Sequence, residues 1–276
     1  MASGEVEVAR ALPATRERRH VNAVEPLVFV VSIASALLFW ELVSRTGVIS
    51  QRDLPAMTTT FNELWSMVQT SHFWWSFADT VRGWFLGLLV AAVLAIPIGI
   101  ALGSSELAGA AFRVPIEFLR PIPSAALIPV LFLTIGTNLR SELFLAAFGA
   151  FWPLLVQTMY GVRDVDPVAI ETARSFGVGR FERLARITLP SAAPYIATGL
   201  RISSTVSLIL AFTAELFMGT PGLGELVNYA QSYGLETQLY ALALATGFLG
   251  VAIHIVFTTL ERRALRWHPS EREAAV

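Results

Sequence analysis

The sequence has no cysteine and no lysine among its 276 residues. The missing cysteine excludes disulfides, thiolate metal sites and cysteine nucleophiles. All 20 basic residues are arginine, so the chain lacks both the lysine of a phosphate-binding P-loop and a lysine able to form a Schiff base. If ATP drives this protein, a different chain must therefore bind the nucleotide.

Charge and histidine are also sparse. Only 15% of the residues are charged, and the formal net charge is -1, so no basic surface indicates a nucleic-acid partner. The four histidines are far apart in the sequence, and none has the spacing of a zinc motif. We therefore expect no metal, no cofactor and no nucleic acid on this chain.

Long apolar runs are abundant. Hydrophobic residues make up 54% of the chain and the mean hydropathy is +0.60, which is too apolar for an ordinary soluble domain. A helix needs about 20 apolar residues to cross a bilayer. Runs near this length lie at 27–43, 83–102, 143–161, 195–218 and 239–260. A shorter run at 124–135 could cross if its helix began near Phe112. The pattern predicts an all-α membrane helix bundle with about six spans.

The distribution of arginine predicts the orientation of the bundle. Arg16, Arg18 and Arg19 precede the first span, which favours a cytoplasmic N-terminus. Alternation of the spans then places most later arginines inside as well. We predict a cytoplasmic tail at 1–26, a transmembrane domain at 27–260 and a second cytoplasmic tail at 261–276. Within the domain, residues 162–194 form a cytoplasmic loop.

The loop at 162–194 begins with the signals of a short helix. Asp166 can cap its first turn, and Pro167 suits its first position. Gly177 and Gly179 can end it, because glycine adopts left-handed backbone angles without steric cost.

A second short helix is predicted to begin near Arg180 and to end at Leu189 and Pro190. Within it Glu182 precedes Arg186 by four residues, which is the favourable order for an ion pair. The two helices would lie at the inner membrane surface. An ordinary interfacial helix pair would show the same amphipathic pattern, so the pattern alone does not assign a function.

The same loop resembles the EAA signature of bacterial binding-protein-dependent permeases. The residues that carry the resemblance are Glu171, Thr172, Ala173, Gly177, Ile187, Leu189 and Pro190. Thr172 stands where the family usually has alanine. In that family a short cytoplasmic helix docks into a groove of an ATPase, so the resemblance implies that these seven residues couple the chain to such a partner.

The flanking sequence resembles the sulfonate, nitrate and taurine branch of that family from residue 27 onward. The likeness is carried by the proline-rich run at 120–129, by the triplets at 161–163 and 199–201, and by residues 214–224. Within these stretches Pro123, Pro129 and Glu215 are candidates for the translocation path. Glu215 could equally be a residue at a helix end near the outer interface.

The resemblance implies the type I fold of ATP-binding-cassette (ABC) importer permeases in a bacterial cytoplasmic membrane. It also implies a homodimer of permease chains, two ATPase subunits that hold ATP and Mg, and an extracytoplasmic solute-binding protein. The chain itself would be a non-catalytic subunit. The implied substrate is a small anion such as an alkanesulfonate, taurine or nitrate, with bicarbonate, an aromatic carboxylate or a pyrimidine vitamin precursor as alternatives.

Three other classes of membrane protein are alternatives. A secondary transporter driven by an ion gradient is expected to carry carboxylates near the midplane of its spans, whereas the ionisable residues here cluster at span ends. A membrane enzyme needs a chemically competent cluster, which the sequence does not show. A non-transporting scaffold stays open at this point.

Overall fold

A computed structural model describes residues 24–265, and every regular element among them is a helix. The α-helices in this part are α1 (Val24–Arg45), α2 (Met57–Val68), α3 (Ser71–Gly103), α4 (Glu106–Leu119), α5 (Ile128–Thr134), α6 (Leu139–Arg163), α7 (Pro167–Ser175), α8 (Arg180–Arg183), α9 (Leu189–Met218), α10 (Leu223–Ser232) and α11 (Glu236–Ala264). A 3₁₀ turn (Ser124–Leu127) precedes α5, and a π-helical turn (Leu184–Thr188) precedes α9. The predicted all-α class is confirmed.

Four helical segments of the described part are long and apolar enough to cross a membrane. They are α3, α6, the continuous run Arg180–Met218 and α11. A bent pair formed by α4 and the segment Ser124–Thr134 would make a fifth. Helix α1 contains the first predicted span, so a sixth crossing stays a prediction. The second predicted span, 83–102, lies within α3. It was too short at its N-terminal side, since α3 begins twelve residues earlier, at Ser71.

The third predicted span is not a single straight helix. Helix α4 ends at Leu119, and the following segment leaves it at an angle of 74°. Pro121 and Pro123 lie in the break, where proline removes backbone donors and restricts the residue before it. The predicted helix start near Phe112 is also wrong, since α4 begins at Glu106. The segment is a broken span or a re-entrant loop.

Helix α6 lies at the centre of the bundle, packed between α3 and α9. Small residues let these helices approach closely: a Cβ atom on Gly99 of α3 would lie 2.7 Å from the Thr158 Cβ atom of α6. The Ser203 hydroxyl of α9 donates to the Ala150 carbonyl of α6 at 2.6 Å. Close contacts of small residues and hydrogen bonds between helices are typical of packing in membranes.

The predicted tails lie largely outside the described residues. Arg16, Arg18 and Arg19 are among the residues that the structure does not describe, as are residues 266–276. At the C-terminal end of α11, Glu261 forms an ion pair with Arg201 of α9 at 3.2 Å. The cytoplasmic placement of both tails stays a prediction.

Candidate functional site

The first helix of the loop at 162–194 forms as its sequence predicts. The Asp166 carboxylate accepts the backbone N–H of Val168 at 2.8 Å, and Pro167 occupies the first helical position. The side chain thus satisfies one of the free N–H groups at the helix start. The segment before it is held to α9 because the Tyr195 hydroxyl donates to Asp164 at 2.7 Å.

Helix α7 ends in a Schellman turn centred on Gly177. The Val178 N–H bonds to the Ala173 carbonyl and the Gly177 N–H to the Arg174 carbonyl, both at 3.0 Å. Gly177 has a φ of 76°, which is the left-handed conformation that favours glycine. Gly179 has a φ of -64°, so the prediction of left-handed freedom applies to Gly177 alone.

The second helix does not end at Leu189 and Pro190, as the sequence had predicted. Helix α8 passes through the π-helical turn directly into α9, and Leu189 and Pro190 form the first turn of α9. The Leu189 N–H bonds five residues back to the Leu184 carbonyl. This wider turn accommodates a proline that would obstruct a regular α-helix. The predicted ion pair between Glu182 and Arg186 is present at 3.1 Å.

The outer surface of this loop combines exposed polar and aromatic side chains. Glu171 and Thr172 are exposed on α7, whereas Ala173 is buried against the turn. Phe176 and Phe181 flank the turn and are 84% and 89% exposed. Large apolar side chains are thus left exposed on both sides of one turn. We call residues 167–187 the coupling surface, after the role that the resemblance implies; Phe176 lies on it although the motif does not include it.

Glu215 lies in the last turn of α9, far from the coupling surface. Its position is 25 residues beyond Pro190, or about 38 Å along a helix. The carboxylate is fully buried: its Oε2 accepts the Thr80 hydroxyl at 2.9 Å and the Gly224 N–H at 2.8 Å. Glu215 is thus at a helix end, as one interpretation held, but it points into packed protein.

Glu142 is a second buried carboxylate beside Glu215. It lies in the first turn of α6, is 2% exposed, and is close to Glu215, Asp79 and Arg82. A side chain on Gly83 would overlap the Glu142 carboxylate. Among the described residues, no hydrogen-bond partner reaches Glu142 Oε1 or Glu215 Oε1. We call these two residues with Thr80 the outer carboxylate cluster, after the orientation that the arginine distribution predicts.

The proline-rich segment packs near the same end of α9. Leu131 of α5 lies in one apolar cluster with Ala214 and Met218 of α9. Pro123 and Pro129 themselves are exposed. The structure therefore places the EAA-like residues at one end of the bundle and Glu215 at the other, and the proline-rich segment packs along the half of α9 that leads to Glu215.

Comparison with known families assigns the chain to one of them. Residues 95–266 match the model of the family described as "Binding-protein-dependent transport system inner membrane component". This chain is a member of that permease family. The permease is accordingly a subunit of an ABC importer, and the family is one of non-catalytic membrane subunits.

Three relatives of the permease confirm the predicted branch. It is 28% identical over 258 residues to SsuC of Escherichia coli (strain K12), which is named as an aliphatic sulfonates transport permease protein. The match covers 93% of this chain and 97% of the relative. It is 30% identical over 243 residues to the taurine transport system permease protein TauC of the same strain, with 86% and 88% covered. It is 25% identical over 191 residues to the nitrate import permease protein NrtB of Leptolyngbya laminosa, with 69% and 68% covered.

Solved structures confirm the predicted type I importer fold. The permease resembles a chain of the inward-facing MetNI methionine ABC transporter with a TM-score of 0.58 and 17% identity, covering 75% of this chain and 96% of the other. It resembles a chain of a bacterial alginate ABC transporter, solved in complex with an alginate pentasaccharide-bound periplasmic protein, with a TM-score of 0.59 and 15% identity, covering 88% and 96%. These identities support the fold alone.

Proposed function

We propose that the permease imports a small sulfonate or a similar oxyanion across the bacterial cytoplasmic membrane. The observation that carries this proposal is the similarity over nearly the full chain to SsuC and TauC, whose names refer to aliphatic sulfonates and taurine. NrtB, named for nitrate, covers a smaller share of the chain. All three names refer to small anions with an oxyanion group, which supports that chemical class of substrate.

The partners follow from the type of importer. We propose a homodimer of this chain, two ATPase subunits that bind ATP and Mg, and an extracytoplasmic binding protein that delivers the anion. Both tails, 1–26 and 261–276, would lie in the cytoplasm with the coupling surface. This orientation is supported by the arginine distribution of the loops.

The coupling surface is proposed to receive the motion of the ATPase. Glu171, Thr172 and Ala173 lie on α7, Gly177 forms its turn, and Ile187, Leu189 and Pro190 carry the chain into α9. Because no break separates α8 from α9, a displacement of the loop acts directly on a long membrane helix. Closure of the ATPase pair would thereby rock the spans between inward-open and outward-open states.

At the opposite end, Glu215 is proposed to hold the translocation path together instead of binding the substrate. Its side chain is fully buried, and its Oε2 already accepts two hydrogen bonds, one from Thr80 of α3 and one from Gly224 at the start of α10. Pro123 and Pro129 lie in the bent segment that packs on the same part of α9. This segment is the better candidate for a moving wall of the path.

Growth and uptake in a deletion strain test the substrate. The strain is supplied with sulfonates as sole sulfur source or nitrate as sole nitrogen source, and radiolabelled uptake is measured beside bicarbonate and an aromatic carboxylate. Uptake of a sulfonate or nitrate should disappear and return with the wild-type gene. Unchanged uptake of both, with loss of another solute, would refute the substrate class but not the importer.

Co-purification tests the ATPase partner. The tagged permease should bring down an ATPase, and a Phe181→Ser variant should retain less of it because an exposed aromatic contact is lost. Phe118→Ser is a matched control, since Phe118 is 73% exposed on α4, outside the coupling surface. Equal recovery from wild type and Phe181→Ser would argue against docking at this surface.

A further inference from the structure

A cavity of about 310 Å³ lies between α4 and α6, at the end of the bundle that carries the coupling surface. Arg113, Glu117 and Arg120 line it from α4 and the residue that follows. Tyr160 and Arg163 line it from the last turn of α6. Neither the EAA-like residues nor the outer carboxylate cluster contributes to this cavity.

The charges of the lining do not cancel. Arg113 is paired, because its Nε donates to Glu117 Oε1 at 2.9 Å. The guanidinium groups of Arg120 and Arg163 have no hydrogen-bond or ion-pair partner among residues 24–265. A guanidinium presents a planar set of donors that matches the oxygens of a sulfonate, phosphate or carboxylate. The cavity therefore offers two unused oxyanion-binding groups.

The position of Arg163 depends on a glycine in the facing helix. Gly109 is buried, and a side chain there would overlap the guanidinium of Arg163. The guanidinium thus lies against the backbone of α4 at the wall of the cavity, while the Arg163 residue as a whole is exposed.

The rest of the wall is apolar. Ile116 of α4 and Val156 and Met159 of α6 complete the lining. The volume lies at the small end of the range of about 300–1,000 Å³ that is usual for small-molecule sites. A ligand that uses both parts of the wall has an oxyanion head and a short hydrocarbon body.

We propose that this cavity binds an amphiphilic oxyanion, with its sulfonate or phosphate head between Arg120 and Arg163 and its hydrocarbon part against Ile116 and Met159. A free alkanesulfonate and an anionic phospholipid share this chemistry. Arg163 is three residues before Asp166, the capping residue of α7, so a bound anion would lie beside the start of the coupling surface. The cavity would bind such an anion whichever solute the permease imports.

Binding to the full-length permease in nanodiscs tests the proposal and identifies the source of the anion. In the first arm, radiolabelled butanesulfonate is titrated into nanodiscs of phosphatidylcholine alone. In the second arm, phosphatidylglycerol is included and the lipids retained by the protein are counted by native mass spectrometry. Saturable butanesulfonate binding indicates a soluble anion, and selective retention of phosphatidylglycerol indicates a lipid; either result supports the site.

The variant Arg120→Gln/Arg163→Gln should weaken whichever ligand binds by about tenfold or more, because two charge-assisted hydrogen-bonding groups are removed. Arg140→Gln is the matched control, since Arg140 is an exposed arginine in the first turn of α6, the helix that ends with Arg163. If the double variant does not fold, Arg120→Gln alone should give a smaller loss in the same direction.

The proposal is overturned if neither ligand binds, if the Arg120 and Arg163 variants bind like wild type, or if Arg140→Gln weakens binding equally. Since the readout is binding, failure here is distinct from failure of uptake in cells.

Discussion

Replacing Gly177 by valine is expected to uncouple the importer without unfolding it. Gly177 has a φ of 76°, and no atom lies within 4 Å of the position that a Cβ would take. The cost is therefore confined to the backbone, and it amounts to about 2 kcal/mol for a β-branched residue in the left-handed region. That cost lowers the equilibrium constant for forming the Schellman turn about 30-fold. The helices of the membrane domain lose no contact.

The measurement is substrate-stimulated ATP hydrolysis and uptake by the assembled complex in proteoliposomes. Gly177→Val should insert normally, with both activities strongly reduced. Gly179→Val is a close control, because Gly179 also faces open space but has a φ of -64°. Full uptake by Gly177→Val would refute the reasoning, and so would an equal defect in Gly179→Val, since that residue needs no left-handed backbone.

Two further predictions concern the outer cluster and the topology. The Glu215→Gln variant should keep an acceptor for the Gly224 N–H and unfold near the wild-type temperature. The Glu215→Ala variant should unfold at a lower temperature in detergent, because about 1–3 kcal/mol is lost for each buried group left unsatisfied. Equal unfolding temperatures would contradict this account of the cluster. A cysteine introduced at exposed Ser232 should react with an impermeant maleimide on intact spheroplasts. A cysteine at exposed Ser175 should react only after lysis, and the reverse pattern would invert the topology.

The spans were predictable where one apolar run fills most of a helix. Runs of apolar residues located α6, α9 and α11 to within six residues at each end. Hydropathy missed the first part of α3, where aromatic and polar residues are frequent between 71 and 82. Its start is nevertheless encoded locally, because the Thr70 hydroxyl accepts the Phe73 N–H. Hydropathy detects an apolar segment, whether it faces lipid or other helices, whereas capping detects the helix itself.

The coupling loop was predictable in its first half and not in its second. Asp166 and Gly177 act through local backbone bonds, which are readable from the sequence. Pro190 looked like a helix end because proline usually interrupts an α-helix. The structure avoids the interruption through the π-helical turn at Leu184–Thr188. Such a turn has no simple sequence signal, so continuity with α9 could not be foreseen.

Glu142 shows why the sequence indicated only one of the two carboxylates of the outer cluster. In the sequence it follows Asn138, and a carboxylate in a first turn ordinarily faces solvent and offsets the helix dipole. Its burial depends on Gly83, which lies on a different helix and leaves space for the carboxylate. Partners so distant in the chain are set by tertiary packing. The motif resemblance identified Glu215 without indicating this neighbour.

The two functional ends are joined by the same pair of helices. The coupling surface begins at the C-terminal end of α6 and leads into the N-terminal end of α9, while the outer carboxylate cluster lies at their other ends. Helix α6 has 25 residues, or about 38 Å, and is packed on α9 through contacts such as Ser203 with Ala150. We expect a displacement of the loop to move both helices together and to carry the outer cluster with them. By this route the proposed coupling surface would transmit the work of a partner ATPase to the opposite end of the bundle.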